Sequence, residues 1–157
     1  MFRIGYGVDF HRFSRNRRLV LGGVQIPSEI GLEGHSDADV ILHAVCDALL
    51  GAAGLGDIGL YFPDSDPEFK DIQSSELLKK TFNLVLSKKF RVVNVDLTLI
   101  LQTPKISLYK EEMKKNISSI LNCDAVNIKA TTPENLGALG RGEGAECRAV
   151  VLLESIP

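Results

Sequence analysis

The chain has 157 residues, 45% of them hydrophobic and 24% charged, with 18 basic side chains against 20 acidic ones. That length suits one domain, residues 1–157, burying roughly 70% of the surface its unfolded chain exposes. A net charge of −2 speaks against nucleic acid as a partner, because polyanion affinity comes from an excess of Lys and Arg. Apolar runs such as Ala149 to Leu153 are far shorter than the roughly 20 residues of a membrane-spanning helix, so no membrane partner is expected. Cys46, Cys123 and Cys147 are scattered and form no Cys-x-x-Cys pair, which argues against a disulfide framework and against a thiolate zinc site. Met1-Phe2-Arg3-Ile4-Gly5 enters patterned sequence directly, without a secretory leader, so a cytoplasmic location is expected.

Phe2 to Phe13 carries strand-type residues, and Ser14 to Arg18 reads as a basic turn. Leu19-Val20-Leu21 and Val24-Gln25-Ile26 are short strands separated by Gly22-Gly23 and stopped by Pro27. Gly31 to His35 reads as loop. Ser36 or Asp37 is expected to cap a helix, with Asp39 adding charge to its first turn. Val40, Ile41, Ala44, Val45, Ala48 and Leu49 then recur at helical spacing. Glycines at 51, 54, 56 and 59 end that helix, and Phe62 to Pro67 is a turn-rich loop. A second helix is predicted from Ser74 or Ser75 to Ser87, a strand over Val92–Leu101, and a third helix over Lys105–Leu121. Val126–Thr131 is a strand, Gly137–Gly144 a glycine-rich loop, and Cys147–Glu154 a closing strand. The interleaving predicts an α+β domain with helices packed on one face of a mixed sheet.

Asp9-Phe10-His11 is the sharpest chemical signal. On a strand, residues i and i+2 share a face, so one carboxylate and one imidazole project together. His43, inside the first helix, is the candidate third ligand. Such an N/O set suits zinc or a similar divalent ion with an open position. Spacing alone leaves open an ordinary reading, in which Asp9 pairs with an arginine and His43 is a satisfied helix histidine. His35-Ser36 just before a helix start could seat phosphate on free N–H groups. Gly54-x-Gly56-x-x-Gly59 matches a dinucleotide fingerprint only as a string, since it follows a helix and Leu60 to Pro63 does not open one. Asp57, Asp64, Asp66 and Glu68 are either a solvated loop or a lid over a polar substrate. Lys129-Ala130-Thr131-Thr132-Pro133-Glu134 ends a strand with hydroxyls for phosphate and a carboxylate for a hard cation, or is simply a strand-to-loop transition. Gly140-Arg141-Gly142-Glu143-Gly144 is an anion nest or a flexible turn with an ion pair.

Taken in order, these pieces resemble the 2-C-methyl-D-erythritol 2,4-cyclodiphosphate synthases of the non-mevalonate isoprenoid pathway. The carrying stretches are Gly7-x-Asp9-x-His11, Gly22-Gly23-Val24, His35-Ser36-Asp37, His43-Ala44 and Asp47 to Ala52. Gly56-Asp57-Ile58-Gly59, Phe62-Pro63-Asp64-x-Asp66-Pro67, Pro104-Lys105, Lys129 to Thr132 and Gly140 to Gly144 complete the set. The resemblance implies a lyase. It would convert 4-diphosphocytidyl-2-C-methyl-D-erythritol 2-phosphate to the 2,4-cyclodiphosphate and CMP, by attack of the 2-phosphate on the β-phosphorus. It implies Zn²⁺, or another divalent transition metal, on Asp9, His11 and His43, and Mg²⁺ or Mn²⁺ on Glu134. His35, Thr132 and Glu134 would be catalytic. His35 and Ser36 would touch phosphate, Asp57 and Gly59 the erythritol part, and Phe62, Asp64 and Asp66 would close over it. A cytidine pocket would use Leu101, Pro104, Lys105, Ile106, Ala130, Thr131 and Thr132, with Arg141 also at the site. The family implies a homotrimer with active sites between subunits. Pro133, Ala138, Arg148 and Ile106-Ser107 depart from the residues associated with the family at those places. A zinc-dependent phosphate-ester hydrolase and a nucleotide-binding domain without turnover are the competing classes.

Overall fold

Glycines decide how the central layer packs. The computed structural model describes residues 1–157 and opens with a long strand, β1 (Phe2–Ser14). Gly5, Gly7, Asp9 and His11 alternate onto one face of β1, and the first helix, α1 (Val40–Ala53), lies directly on that face. A Cβ on Gly5 would stand 1.9 Å from the Ala48 carbonyl oxygen, and one on Gly7 would stand 2.1 Å from that of Ala44. Only glycine at both positions lets helix and strand approach this closely. The same approach carries His43, one residue before Ala44, up to the strand just beyond Gly7.

Between β1 and α1 run β2 (Leu19–Leu21), β3 (Val24–Ile26) and the two-residue β4 (Gly31–Leu32). β2 and β3 form a hairpin whose turn residues Gly22 and Gly23 have φ of 58° and 75°, the positive pair a tight two-residue hairpin requires. After α1 come a single helical turn, α2 (Ile58–Tyr61), then α3 (Ser74–Ser87) and β5 (Phe90–Ile100). The helix α4 (Lys110–Leu121) crosses from β5 to β6 (Val126–Thr131), and a short turn, α5 (Gly137–Gly140), leads to β7 (Gly144–Ser155).

The main sheet has the order β4-β1-β7-β5-β6, with only β5 and β6 parallel. β7 is the central strand, antiparallel to both β1 and β5. α1 covers the inner face and is itself covered by α3, so eleven of its residues are buried. That double cover explains a helix whose apolar residues run almost all the way round. One core of 38 buried residues results. The opposite face of the sheet has no helix, and it leaves Ile4, Tyr6, Phe10 and Val150 exposed. No helix is long and apolar enough to cross a membrane.

The predicted α+β architecture, with helices on one face of a mixed sheet, is the one observed. Several boundaries differ for local reasons. α1 is capped by Asp39 rather than by Ser36 or Asp37: its carboxylate accepts from the Ile41 and Leu42 N–H groups at 3.1 Å each. The same carboxylate accepts from Gly22 and Gly23 at 2.9 and 2.7 Å, so the hairpin turn and the helix start share one anchor. Burial and the neighbouring Asp37 push its carboxyl up to about 6, against the pull of those N–H donors. α4 begins at Lys110, not Lys105, because Ser107–Tyr109 winds as a separate tight turn. Ile58–Tyr61 does form one helical turn, capped by Asp57, where none was expected. Gly51 lies inside α1, and Gly54, at φ 71°, ends it. Gly144, Ala145 and Glu146 extend the closing strand, because they pair with Arg12, His11 and Phe10 of β1 in turn.

Candidate metal centre and a second cavity

Asp9 and His11 come from one face of β1, His43 from the facing turn of α1. The Asp9 Oδ2 atom lies 2.9 Å from His11 Nε2 and 3.1 Å from His43 Nδ1, and the two nitrogens lie 3.1 Å apart. The far nitrogen of each ring is already engaged. His11 Nδ1 donates to the Glu33 carbonyl at 2.7 Å. His43 Nε2 lies 2.8 Å from the Ser74 hydroxyl and 3.1 Å from that of Ser36. With those nitrogens as donors, two imidazole lone pairs and a carboxylate lone pair converge on one point. Such a convergence is unfavourable unless a cation or a proton occupies it. Tetrahedral zinc bonds of about 2.0–2.1 Å would set donors about 3.3 Å apart, so the triangle fits a divalent ion with little adjustment. Without a metal, protons play the part. Burial disfavours the charge on both groups, yet the hydrogen bonds between them prevail. The Asp9 carboxyl is therefore held below the usual carboxylate range, and the His11 imidazole is raised above its own.

The group opens into a cavity of about 370 Å³ lined also by His35, Ser36, Gly59, Phe62 and Asp64, with Ile58, Phe69, Ile72 and Leu77 as apolar wall. These predicted residues do meet, although they come from segments far apart in the chain. His35 Nε2 donates to the Asp66 carbonyl at 3.2 Å, tying the two loops together. The carboxylates of Asp57 and Asp66 do not line the cavity. They cap local turns, accepting from Leu60 at 3.1 Å and Glu68 at 2.9 Å.

A second cavity, about 220 Å³, lies at the carboxyl ends of the parallel strands β5 and β6, the usual ligand edge of such a pair. Leu101, Pro104, Lys105, Ile106, Ala130, Thr131 and Thr132 all line it, together with Gln102, Ser107 and Lys110. Gln102 and Lys110 are not among the residues the resemblance implies, and Ser107 enters there only as a departure from the family's residues; a helix starting at Lys105 would carry Lys110 away from the strand ends. Glu134 lines neither cavity. It stands beyond β6 at φ 54°, accepting a hydrogen bond from Thr132 Oγ1. Arg141 is exposed and pairs with Glu143 at 2.6 Å, also outside both. The largest cavity, about 600 Å³, lies behind Ser36 and Asp37 against Asn16, Arg17 and Arg18 and takes in none of the other predicted residues. All three cysteines are buried and unpaired. Burial pushes the Cys46 thiol up to about 12 and that of Cys147 upward as well, so both stay protonated thiols.

A carboxylate and two imidazoles converging beside hydroxyl and imidazole donors, on an α+β sheet with a second ligand edge, define a divalent-metal enzyme for a phosphorylated substrate. The YgbB family model matches residues 2–154. The 2-C-methyl-D-erythritol 2,4-cyclodiphosphate synthase of Chlorobium phaeobacteroides is 56% identical over 157 residues, 99% of each chain. The bifunctional IspDF of Campylobacter jejuni superposes with a TM-score of 0.95 at 44% identity, over 99% of this chain and 43% of that longer one. The CDP complex of Plasmodium falciparum IspF gives a TM-score of 0.87 at 37% identity, over 99% and 97%. The chain belongs to the YgbB family of 2-C-methyl-D-erythritol 2,4-cyclodiphosphate synthases, and it is a lyase.

Proposed function

We propose that Asp9, His11 and His43 hold Zn²⁺, or another divalent transition metal, and that a second copy of the chain completes the active site. The reaction is that of the family. The 2-phosphate of 4-diphosphocytidyl-2-C-methyl-D-erythritol 2-phosphate attacks the β-phosphorus, the bond to the CMP oxygen breaks, and the 2,4-cyclodiphosphate and CMP leave. The observation that carries the site is the convergence of three lone pairs from Asp9, His11 and His43. A divalent ion there supplies positive charge to the diphosphate as two anionic groups approach each other.

The remaining work falls to positioning. His35 and Ser36 stand beside the metal group as donors for phosphate oxygens, with Phe62 and Asp64 closing that cavity around the erythritol part near Gly59, and Asp57 capping the turn that carries Gly59. No general base is needed, because a phosphate monoester is already ionised near neutral pH. Nucleophile and diphosphate belong to one molecule, so the attack is intramolecular, and holding the substrate folded on itself lets that proximity act, with effective molarities of about 10⁵ M or more for well-oriented groups. In the second cavity Leu101, Pro104, Ile106 and Ala130 offer apolar surface to a cytosine ring, and Lys105, Thr131 and Thr132 offer donors to the CDP phosphates. Thr132 and Glu134 would meet the diphosphate from that side, with Glu134 holding Mg²⁺ or Mn²⁺ through one carboxylate, the sparse protein ligation usual for Mg²⁺ on phosphates.

The two cavities share no lining residue within one chain. A site that must span metal and cytidine is therefore best built between copies. The uncovered sheet face, with Ile4, Tyr6, Phe10 and Val150 exposed, is the apolar surface such an assembly would bury. We take the assembly to be the homotrimer that the family resemblance implies, working in the cytoplasm as a single-domain enzyme with Arg141 near the shared site.

The test is to incubate the protein with substrate, Zn²⁺ and Mg²⁺ and follow phosphorus NMR. The expected result is CMP and a cyclic diphosphate, lost with chelator and restored by metal. An open-chain diphosphate or inorganic phosphate would assign a hydrolase instead.

A further inference from the structure

Two side chains outside the cavity, Ser74 and Asp37, line up behind His43. Ser74, the first residue of α3, is fully buried, and its hydroxyl lies 2.8 Å from His43 Nε2. That hydroxyl carries one proton and donates it to Asp37 Oδ1. Toward His43 it can therefore only accept, which puts the imidazole proton on Nε2 and leaves the Nδ1 lone pair facing Asp9 and His11. Asp37 is itself fixed, because its Oδ2 accepts from the Ser74 backbone N–H at 3.0 Å and its Oδ1 from the Asp39 N–H at 3.3 Å. Ser36 offers a weaker alternative acceptor at 3.1 Å, while also accepting from the Ala38 N–H at 3.2 Å.

We infer that Ser74 and Asp37 are positioning residues for the metal centre: a carboxylate–hydroxyl–imidazole chain that fixes the tautomer and ring plane of His43 and so sets metal affinity. The inference rests on the metal reading proposed above. Neither residue lines the cavity beside His43 with a route to the substrate: Ser74 is sealed under α3, and Asp37 faces away behind Ser36. Their action on chemistry therefore runs through His43. His11 is served more simply, by the fixed Glu33 carbonyl. The two imidazoles thus have unlike support, one from backbone and one from side chains open to substitution. Acceptors of this kind behind a ligating histidine typically change metal affinity 10- to 100-fold when removed.

The experiment measures Zn²⁺ affinity by competition with a chromophoric chelator for the full-length protein, Ser74→Ala, Asp37→Asn and the double variant. The Co²⁺ absorption spectrum of each serves as a second readout. Ser74→Ala should lose about 10-fold or more in affinity and shift the Co²⁺ bands. Asp37→Asn should lose less, because the amide oxygen still accepts from Ser74. The double variant should match Ser74→Ala, because Asp37 acts through Ser74. Wild-type affinity in Ser74→Ala, or single losses that multiply in the double variant, would overturn the inference. A measurement on the unmodified protein keeps it testable even if Ser74→Ala fails to fold. The ¹⁵N shift of His43 Nε2 in the Zn²⁺-loaded chain should be that of a protonated ring nitrogen, and a metal-bound or bare Nε2 would refute the chain. An unmodified protein that binds no Zn²⁺ would instead overturn the metal reading itself.

Discussion

The two cavities are built on opposite plans. The metal cavity draws its donors from β1, α1, the His35 loop and the Phe62 loop, and each of its three imidazoles, His11, His35 and His43, is tied by a hydrogen bond to a group behind it. The cavity at the ends of β5 and β6 comes from two short segments, residues 101–110 and 130–132, and its Lys105 and Lys110 side chains are in no ion pair within the chain. The first is organised before any ligand arrives. The second is a shelf with donors at its edge, which suits a group gripped jointly with another subunit. Precise donor geometry is needed where charge must be neutralised, and less where a ring is held mainly by contact.

The sharpest way to break this contrast is to remove a metal ligand. His43→Ala should lose more than about 100-fold in Zn²⁺ affinity, beyond the effect of removing an outer acceptor, and nearly all cyclodiphosphate formation. CDP binding at the second cavity should persist. Metal analysis and calorimetry with CDP read the two separately, and unchanged zinc stoichiometry would remove His43 from the site. Ile4→Glu attacks the proposed assembly instead. A charge on the uncovered sheet face should give a folded monomer that binds Zn²⁺ but does not turn over, as judged by light scattering and the NMR assay. A monomer that still turns over would show that one chain holds the whole site.

Gly7→Ala tests the closeness of β1 and α1. The added methyl would meet backbone, the Ala44 carbonyl at 2.1 Å, which cannot swing aside as a flexible side chain can. A loss of about 3 kcal/mol or more in unfolding free energy is expected, with weakened Zn²⁺ binding, because His43 moves with α1.

That pair of glycines also shows what was legible in the sequence. Gly5, Gly7, Asp9 and His11 alternate with period two, so their shared face could be read from the chain, as could the helical spacing around His43. The distance between strand and helix could not, because glycine serves turns as well as close backbone approach. The N-cap went to Asp39 because its carboxylate also serves Gly22 and Gly23, sixteen or so residues back, and local capping rules see only the four residues ahead. Ser74 behind His43 was invisible for the same reason: 31 residues separate them. In the second cavity all seven residues inferred from the family resemblance meet, since strand ends and the segment after β5 are sequence-local. Of the other wall residues, Lys110 escapes because a helix over Lys105–Leu121 would carry it off the strand ends, and Gln102 because it lies just past β5, where no periodic pattern marks it.

A smaller effect sharpens the contrast from the nucleotide side. Lys105→Ala should weaken CDP binding about tenfold, or about 1.4 kcal/mol, while Zn²⁺ affinity and the Co²⁺ spectrum stay as they were. A loss of metal along with CDP would mean that the two cavities communicate within one chain.

The smallest effect concerns protons standing in for the metal. Asp9 is held below the usual carboxylate range and His11 above the usual imidazole range, each by its hydrogen bond to the other against the opposition of burial. A depressed carboxyl contributes stability that is present above its unfolded value and is lost as pH falls through its folded one. A raised imidazole contributes stability that is present below its unfolded value and is lost as pH rises through its folded one. In metal-free protein the pair is therefore fully stabilising between about pH 4 and 6.5. Its contribution should fade as pH rises past that window. Zn²⁺ needs the deprotonated imidazole, so its affinity should climb over the same interval. Melting temperatures against pH, with and without Zn²⁺, should converge toward acid and separate toward neutral pH. His11→Ala should flatten that divergence. Equal separation at pH 5 and pH 8 would mean that the proton and the metal do not compete for the same three atoms.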